Sequence, residues 1–224
     1  MRTAQVTLCY LLIAAVLAGC GGATAGSGGQ ASLWVTRDHG AQVMLVRTVP
    51  AGLSAMQALK RVAHVDTRYG GRYVQAIEGL DGSLSARRDW FYFVNGIEAD
   101  RGAAEYRLRP GDVEWWDYRS WEHEMRAPVV VGAFPEPFLH GYDGKVRPAI
   151  VVGRGAGARA IARLLRGRVA RTAPKRANVF RLVGGASRFT ARLRDGGGVE
   201  FLFSGDAMRL AQHPAMYRFR YQVP

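Results

Sequence analysis

The chain has 224 residues, 48% of them hydrophobic, two cysteines and a formal net charge of +13. That is enough to bury one core or two smaller ones, while two cysteines exclude a disulfide-built scaffold and a Cys-based metal cluster. The charge is lopsided: residues 1–144 carry 14 Lys+Arg against 15 Asp+Glu, residues 145–224 carry 17 against 3, and all five Trp lie at or before Trp121. Such asymmetry predicts two units with different surfaces.

At the N-terminus, Arg2 precedes an apolar stretch from Val6 to Leu17, which closes on Leu17-Ala18-Gly19-Cys20. A basic start, a short apolar core and small residues before a cleavage point form the layout of a secretory signal, too short to persist as a bilayer-spanning helix. The four-residue box resembles the lipobox of bacterial lipoproteins; a generic secretory signal with an incidental cysteine is the alternative. The resemblance implies lipidation of Cys20, a mature chain that starts there, and anchoring in the cell membrane on its extracytoplasmic face. Anchoring of this kind needs more than one acyl chain. The expected layout is a signal over 1–19 and a flexible tether over 20–31, rich in Gly, Ala, Ser and Thr. Cys9 would leave with the signal, so the mature chain has no disulfide.

The next unit is expected over 32–127. Leu33–Arg37 and Val43–Val49 read as strands around an Asp38-His39-Gly40 turn, with Pro50 ending the second. Met56, Leu59 and Ala63 recur at helical spacing behind Ser54, a predicted N-cap. Tyr73–Ile77, Asp89–Val94 and Val113–Tyr118 follow as strands, with turns at Asn95-Gly96 and Pro110-Gly111-Asp112. The order β-β-α-β-β-β predicts a single helix on one face of a small mixed sheet, the layout of a β-grasp fold. The series Val49-Pro50-x-Gly52, Ala58-Leu59, Tyr73-Val74-x-x-Ile77-x-Gly79-Leu80, Trp90-x-Tyr92-x-Val94-Asn95-Gly96, Gly102-Ala103 and Pro110-Gly111-Asp112 resembles the transcobalamin C-terminal-like domain family, over about 90 residues. In the vertebrate cobalamin carriers of that family the domain caps one face of a corrin ring. The resemblance therefore implies a small extracellular ligand-binding domain, with a corrinoid as its ligand. The large helical barrel that closes the carriers' site has no counterpart in this sequence, and half a clamp leaves half the ligand in water.

The candidate ligand-binding residues are Trp90, Tyr92, Asn95, Trp115, Trp116 and Tyr118. Flat rings with a polar edge suit a macrocycle, a sugar or a partner protein. Alternate strand residues face a core, so some of these rings must be buried. Trp115 and Trp116 are adjacent and point to opposite faces, so one of them needs cover from outside a one-sided sheet. That cover is either an interdomain contact or a ligand.

The last unit, expected over 128–224, reads as a small basic α/β unit. Val129–Gly132 and Pro148–Gly153 are apolar strands, and Phe134–Phe138 is an extended loop between them. Ala158–Arg171 is a helix with Ile161, Leu164, Leu165 and Val169 on one face and Arg159, Arg163, Arg166, Arg168 and Arg171 as its basic residues. That basic face either is solvated or lies on anionic lipid. Val179–Val183, Phe189–Leu193 and Val199–Phe203 are three further strands. Gly153-Arg154-Gly155-Ala156-Gly157-Ala158 fits a dinucleotide fingerprint between strand and helix, but no acid follows about 20 residues on. A glycine-rich turn is the better reading, with an anion site at the helix N-terminus as its milder form.

No nucleophile elbow and no H-E-x-x-H helix occurs, and His39, His64, His123, His140 and His213 form no ligand spacing. The fold class expected is thus α+β, a β-grasp-like domain followed by a small basic α/β unit. The function expected is that of a non-enzymatic surface lipoprotein without metal, cofactor or nucleic acid. It binds a small extracytoplasmic ligand, a corrinoid by resemblance, for delivery to an importer. The alternative is an envelope module that binds protein through its aromatic and basic surfaces.

Overall fold

The computed structural model describes residues 28–224. The signal, Cys20 and most of the tether lie outside the described residues. Among the described residues no helix is long and apolar enough to cross a membrane.

The fold is α+β, with three sheets. In the first unit β1 (Gln30–Arg37) and β2 (Gln42–Pro50) form a hairpin, and α1 (Ala55–Val62) follows. Ser54 caps α1 through a reciprocal box: its side chain accepts from the Gln57 amide, and the Gln57 side chain accepts from the Ser54 amide. Then come β3 (Val65–Arg68), β4 (Tyr73–Ile77), β5 (Leu80–Asp81), β6 (Arg88–Val94), β7 (Ile97–Glu98) and β8 (Val113–Ser120). The main sheet has the order β2-β1-β8-β6-β7, with β1 and β8 parallel. β3, β4 and β5 form a separate antiparallel sheet, so Tyr73–Ile77 is a strand as expected but not one of the main sheet. Asn95 and Gly96 both take positive φ, 54° and 75°, as a tight β6–β7 hairpin demands.

The second sheet has the order β10-β9-β11-β13-β12, built from β9 (Ala149–Val152), β10 (Arg168–Val169), β11 (Asn178–Leu182), β12 (Arg188–Leu193) and β13 (Val199–Ser204). β10, β9, β11 and β13 are parallel, and β12 is antiparallel at the edge. α2 (Gly155–Leu164) links β9 to β10, and α3 (Ala207–Gln212) follows β13.

Several expectations are corrected here. The tether stops short of residue 31, because Gln30 already pairs with Pro50. Val129–Gly132 is not a strand: its amides bond outward, Val130 to the Gly96 carbonyl and Val131 to that of Tyr221, and Val131–Ala133 forms one 3-10 turn. Its apolar character signals burial, which an apolar run cannot distinguish from strand. Phe134–Phe138 is a compact turn rather than an extended loop, and both phenylalanines sit in the second core.

The helix from Ala158 to Arg171 starts earlier and ends earlier, at Leu164. Arg166 turns the chain with φ 51°, and Gly167 lies so close to Ala149 that a Cβ would meet its carbonyl oxygen at 2.4 Å. The chain then becomes β10, so Arg166, Arg168, Val169 and Arg171 share no helical face with Arg159 and Arg163. The start of α3 is marked in the sequence by Asp206, whose carboxylate accepts from the amides of Met208 and Arg209.

Three cores hold the molecule. The first packs α1 and β4 against one face of the main sheet, with Leu33, Leu59, Ile77, Trp116 and Tyr118. The second fills the last unit around Phe134, Phe138, Phe180, Phe189, Phe201 and Phe203. The third joins them: Trp34, Phe93 and Trp115 of the main sheet meet Ala127, Val130, Ala133 and Tyr221, with Phe219 alongside. The expected boundary near Ala127 thus falls inside a shared core. At its centre the Asp117 carboxylate accepts from the Thr36 hydroxyl at 2.6 Å, the Gly40 amide at 3.1 Å and the Tyr221 hydroxyl at 2.9 Å.

Replacing Tyr221 by Phe leaves the ring in place and strips one donor from this buried carboxylate. We expect a loss of about 1–3 kcal/mol, read as a lower urea midpoint with an unchanged slope.

Candidate functional site

The aromatic residues singled out in the sequence are interior residues. Trp90, Trp115, Trp116 and Tyr118 are buried, and Tyr92 is half-buried. Tyr92 stacks on Trp116 with centroids 4.8 Å apart, and Trp90 tilts against Tyr118 at 5.2 Å. Their polar edges are engaged inside the protein. The indole of Trp90 donates to the Leu80 carbonyl at 2.9 Å, that of Trp116 to Glu114 at 2.6 Å, and that of Trp115 to the Thr36 hydroxyl at 2.7 Å. Tyr118 donates to the Asp81 carbonyl at 2.9 Å, and Tyr92 to that of Arg101. Trp115 faces away from Trp116, as strand alternation requires, and its cover is Tyr221, Phe219 and Trp34. The interdomain alternative therefore holds, and the ligand-surface alternative is corrected. Around β8 the main sheet is covered on both faces, while its edge strand β2 stays exposed, so the rings of β6 and β8 stabilise the fold rather than present a face to a ligand.

Asn95 is corrected for the same reason. It is fully buried, and its amide donates to Asp112 and to the Gly141 carbonyl, both at 2.8 Å, while its oxygen accepts from the Val113 amide at 2.8 Å. It ties the hairpin tip, the turn before β8 and the connecting segment together.

Buried acids surround this region. Glu114 is enclosed, has one partner in Trp116, and its second oxygen has none. Burial pushes its pKa well above the ordinary carboxylate value. Burial also raises Asp112, against bonds from the Arg109 amide and Asn95, and Glu136, against bonds from His140.

Open space lies elsewhere. A cleft of about 310 Å³ sits where the units meet. Ile97, Glu98 and Asp100 wall it from the first unit, Asn178 and Leu193 from the second, and Tyr142 and Lys145 from the connecting segment. Pro128 and Pro137 add apolar surface. Most of its polar groups are engaged. Glu98 accepts from the Ala127 amide and stands 3.7 Å from Arg126, and Asp100 pairs with Arg101 and accepts from the Tyr142 hydroxyl at 2.7 Å. Burial, opposed by the Asp100 amide, leaves the Tyr142 phenol pushed up to about 12. Asn178 bonds the Pro137 carbonyl and the Val199 amide. Lys145 has no side-chain partner among the described residues, and Arg147 holds only the Arg176 carbonyl.

A second opening, about 520 Å³, lies at the small sheet and carries exposed Tyr69 (78% exposed), Leu84 (82%) and Tyr73. None of these was singled out in the sequence as a site. The local signal was a tyrosine beside Gly70-Gly71, since a glycine pair marks a turn and turns lie on the surface. Among the described residues no group of three His, Cys, Asp or Glu stands together as a metal site.

A family model described as a domain of unknown function, DUF4430, matches residues 52–120, from the approach to α1 to the end of β8. No curated protein matches the chain. Among solved structures, a protein of Ruminococcus gnavus ATCC 29149, described as a candidate metal-binding protein, matches at 13% identity and TM-score 0.34. The match covers 41% of this chain and 97% of that one. Haptocorrin in complex with Cbi matches at 19% identity and TM-score 0.34, over 41% of this chain and 25% of haptocorrin. Likenesses at this level carry no ligand across to this chain, and a fold in any case hosts many functions.

Two outcomes follow from the buried polar groups. Asn95→Ala removes three internal bonds at a left-handed position and should cost about 3 kcal/mol in chemical unfolding. Because the folded pKa of Glu114 lies above its unfolded value, the unfolded chain releases that proton first. Stability contributed by the protonated group is full below about pH 4.5 and declines as pH rises. Glu114→Gln should therefore gain stability relative to the parent at pH 8 and gain least at pH 4, measured by urea midpoints across that range; Asp112 and Glu136 keep part of the slope in both proteins.

Proposed function

We propose that the chain is a non-enzymatic binding protein that captures a small, partly apolar anion in the cleft between its two units. The observation that supports this is the cleft itself, about 310 Å³ with an apolar lining from Ile97, Pro128, Pro137 and Leu193. Lys145 and Arg147 lie at its edge without carboxylate partners, whereas Glu98 and Asp100 are already engaged. Such a site binds an apolar body by burial and orients it by one charge. A corrinoid, the ligand implied by the sequence resemblance, exceeds what this cleft encloses and would have to lie across its mouth. Lipid anchoring through Cys20, an extracytoplasmic location and delivery to an importer complete the reading and rest on the N-terminal sequence.

A second reading has its own observation. Tyr69, Tyr73 and Leu84 expose a patch around an open hollow, which suits contact with an envelope protein better than a small molecule.

The test is calorimetric titration of a chain starting at Gly28 with cobinamide, cobalamin and a panel of small aromatic and aliphatic carboxylates. Saturable binding by any of them, weakened about tenfold by Lys145→Glu, supports the cleft. No saturation up to about 1 mM ligand, or binding indifferent to Lys145→Glu, removes it and leaves the Tyr69 patch ahead.

A further inference from the structure

The second sheet has a face that the cleft does not use. On β13 the side chains alternate: Phe201 and Phe203 enter the second core, so Glu200 stands on the opposite face. Arg181 of β11 and Arg192 of β12 flank it there. Arg181 donates through Nε and Nη2 to one Glu200 oxygen, at 3.0 and 2.8 Å, and Arg192 donates through the same two nitrogens to the other. Glu200 is buried, whereas Arg192 is 69% exposed and Arg181 39%. Burial raises the pKa of Glu200, but the two arginines outweigh it and hold the carboxyl below the ordinary range. One buried carboxylate thus fixes two guanidinium planes, and Nη1 of each has no intramolecular partner among the described residues.

Two adjoining hollows open on this face. One, about 610 Å³, is lined by Lys175, Arg192 and Arg194. The other, about 790 Å³, lies at the carboxyl ends of β9, β10 and β11 and is lined by Arg154 and Arg171. Arg181 lines both, so they form a continuous surface. The strand order adds a reason for an opening here. From β9 the chain leaves through α2 toward β10 on one side, whereas from its neighbour β11 it leaves toward β12 and β13 on the other. Adjacent strands whose connections leave in opposite directions open a crevice at their carboxyl ends. The acids on the two hollows are Asp195 and Glu200, and Glu200 is already engaged twice.

We propose that this face binds a ligand bearing two or more phosphate-type anions, one held at Arg154 and Arg171 and the next at Arg181 and Arg192. Planar guanidinium groups match phosphate oxygens through paired N–H donors, and pre-fixed arginines lose less freedom on binding. The surface accepts the charge of a free polyphosphate or of clustered phospholipid headgroups by the same chemistry.

The experiment uses the chain from Gly28, in about 0.15 M salt so that diffuse attraction is screened. Calorimetry follows inorganic tripolyphosphate, and co-sedimentation follows vesicles of phosphatidylglycerol and phosphatidylcholine against phosphatidylcholine alone. The test variant is Arg154→Gln with Arg171→Gln, neither of which has a side-chain partner to lose among the described residues. The control is Arg159→Gln with Arg163→Gln on α2, the same loss of charge away from both hollows. We expect saturable binding to tripolyphosphate or to the anionic vesicles, weakened about tenfold in the test variant and less than about twofold in the control. Binding to vesicles alone identifies a headgroup as the source; binding to tripolyphosphate that displaces vesicles identifies one site for both. Equal weakening in the two variants reduces the effect to net charge and overturns the proposal, as does the absence of saturable binding to either probe. Lys145→Glu leaves this readout unchanged, which separates it from the cleft.

Discussion

Strand β8 has two buried faces, and the rest of the structure follows from that constraint. Val113–Ser120 carries Trp116 and Tyr118 on one side and Trp115, Asp117 and Arg119 on the other. A helix and a small sheet cover the first side. The second side cannot face water with a tryptophan, nor be sealed without partners for a carboxylate and a guanidinium. The chain's last residues supply part of that seal: Tyr221 packs on Trp115 and donates to Asp117. Arg119, fully buried, lies 3.7 Å over the Phe91 ring and donates to the carbonyls of Ser120, Glu124 and Met125. Burying such groups is tolerable only when most of their bonds are made. Arg119 makes its bonds within the first unit and leaves its Nε without a partner among the described residues, whereas the Tyr221–Asp117 bond crosses to the last unit and fixes the register of the two by polar chemistry as well as by apolar area.

This lock explains why the cleft exists. Covering the second face of β8 draws the connecting segment across the first unit, where Asn95 holds Gly141 and Tyr142 packs against Tyr106. The segment then enters β9 of the second sheet. The space left between these three pieces is lined by whatever their surfaces carry, and the Lys145 side chain is left there without a partner among the described residues. Position in the fold, rather than any motif, makes it a candidate binding group.

How much of this was legible depends on the kind of signal. Elements whose cause is local were read correctly: the Ser54 cap, the Asn95-Gly96 hairpin, and the period-two strands of β6, β11, β12 and β13. The adjacency of Trp115 and Trp116 even forced the conclusion that the sheet has a second cover. Elements whose cause is distant were misread. Val129–Gly132 looks like a strand because it is apolar, yet its amides bond to Gly96 and Tyr221, at sequence distances that no window spans. The sequence predicts a helix from Ala158 to Arg171 because Val169 keeps the spacing, although Arg166 and Gly167 turn the chain out of it. The candidate site failed for a related reason. Trp and Tyr are used both to bind and to pack: α1 and the small sheet decide the matter for Trp90, Trp116 and Tyr118, and Tyr221, some hundred residues further on, decides it for Trp115.

Charge was a more faithful guide than aromatic content, because charge resists burial. An aromatic cluster in a sequence can vanish into a core once its few N–H and O–H groups find partners, but the excess of cations after Lys145 has to be placed. Among the described residues of that stretch, Glu200 alone of the three acids forms ion pairs, and it takes two arginines. Asp206 caps a helix instead. Self-repulsion among the remaining cations works against a compact fold, and the cost falls when counter-charge is bound. A sheet that fixes two of its arginines with a buried acid, and gathers others around the same pair of hollows, concentrates that repulsion where an anion relieves it most.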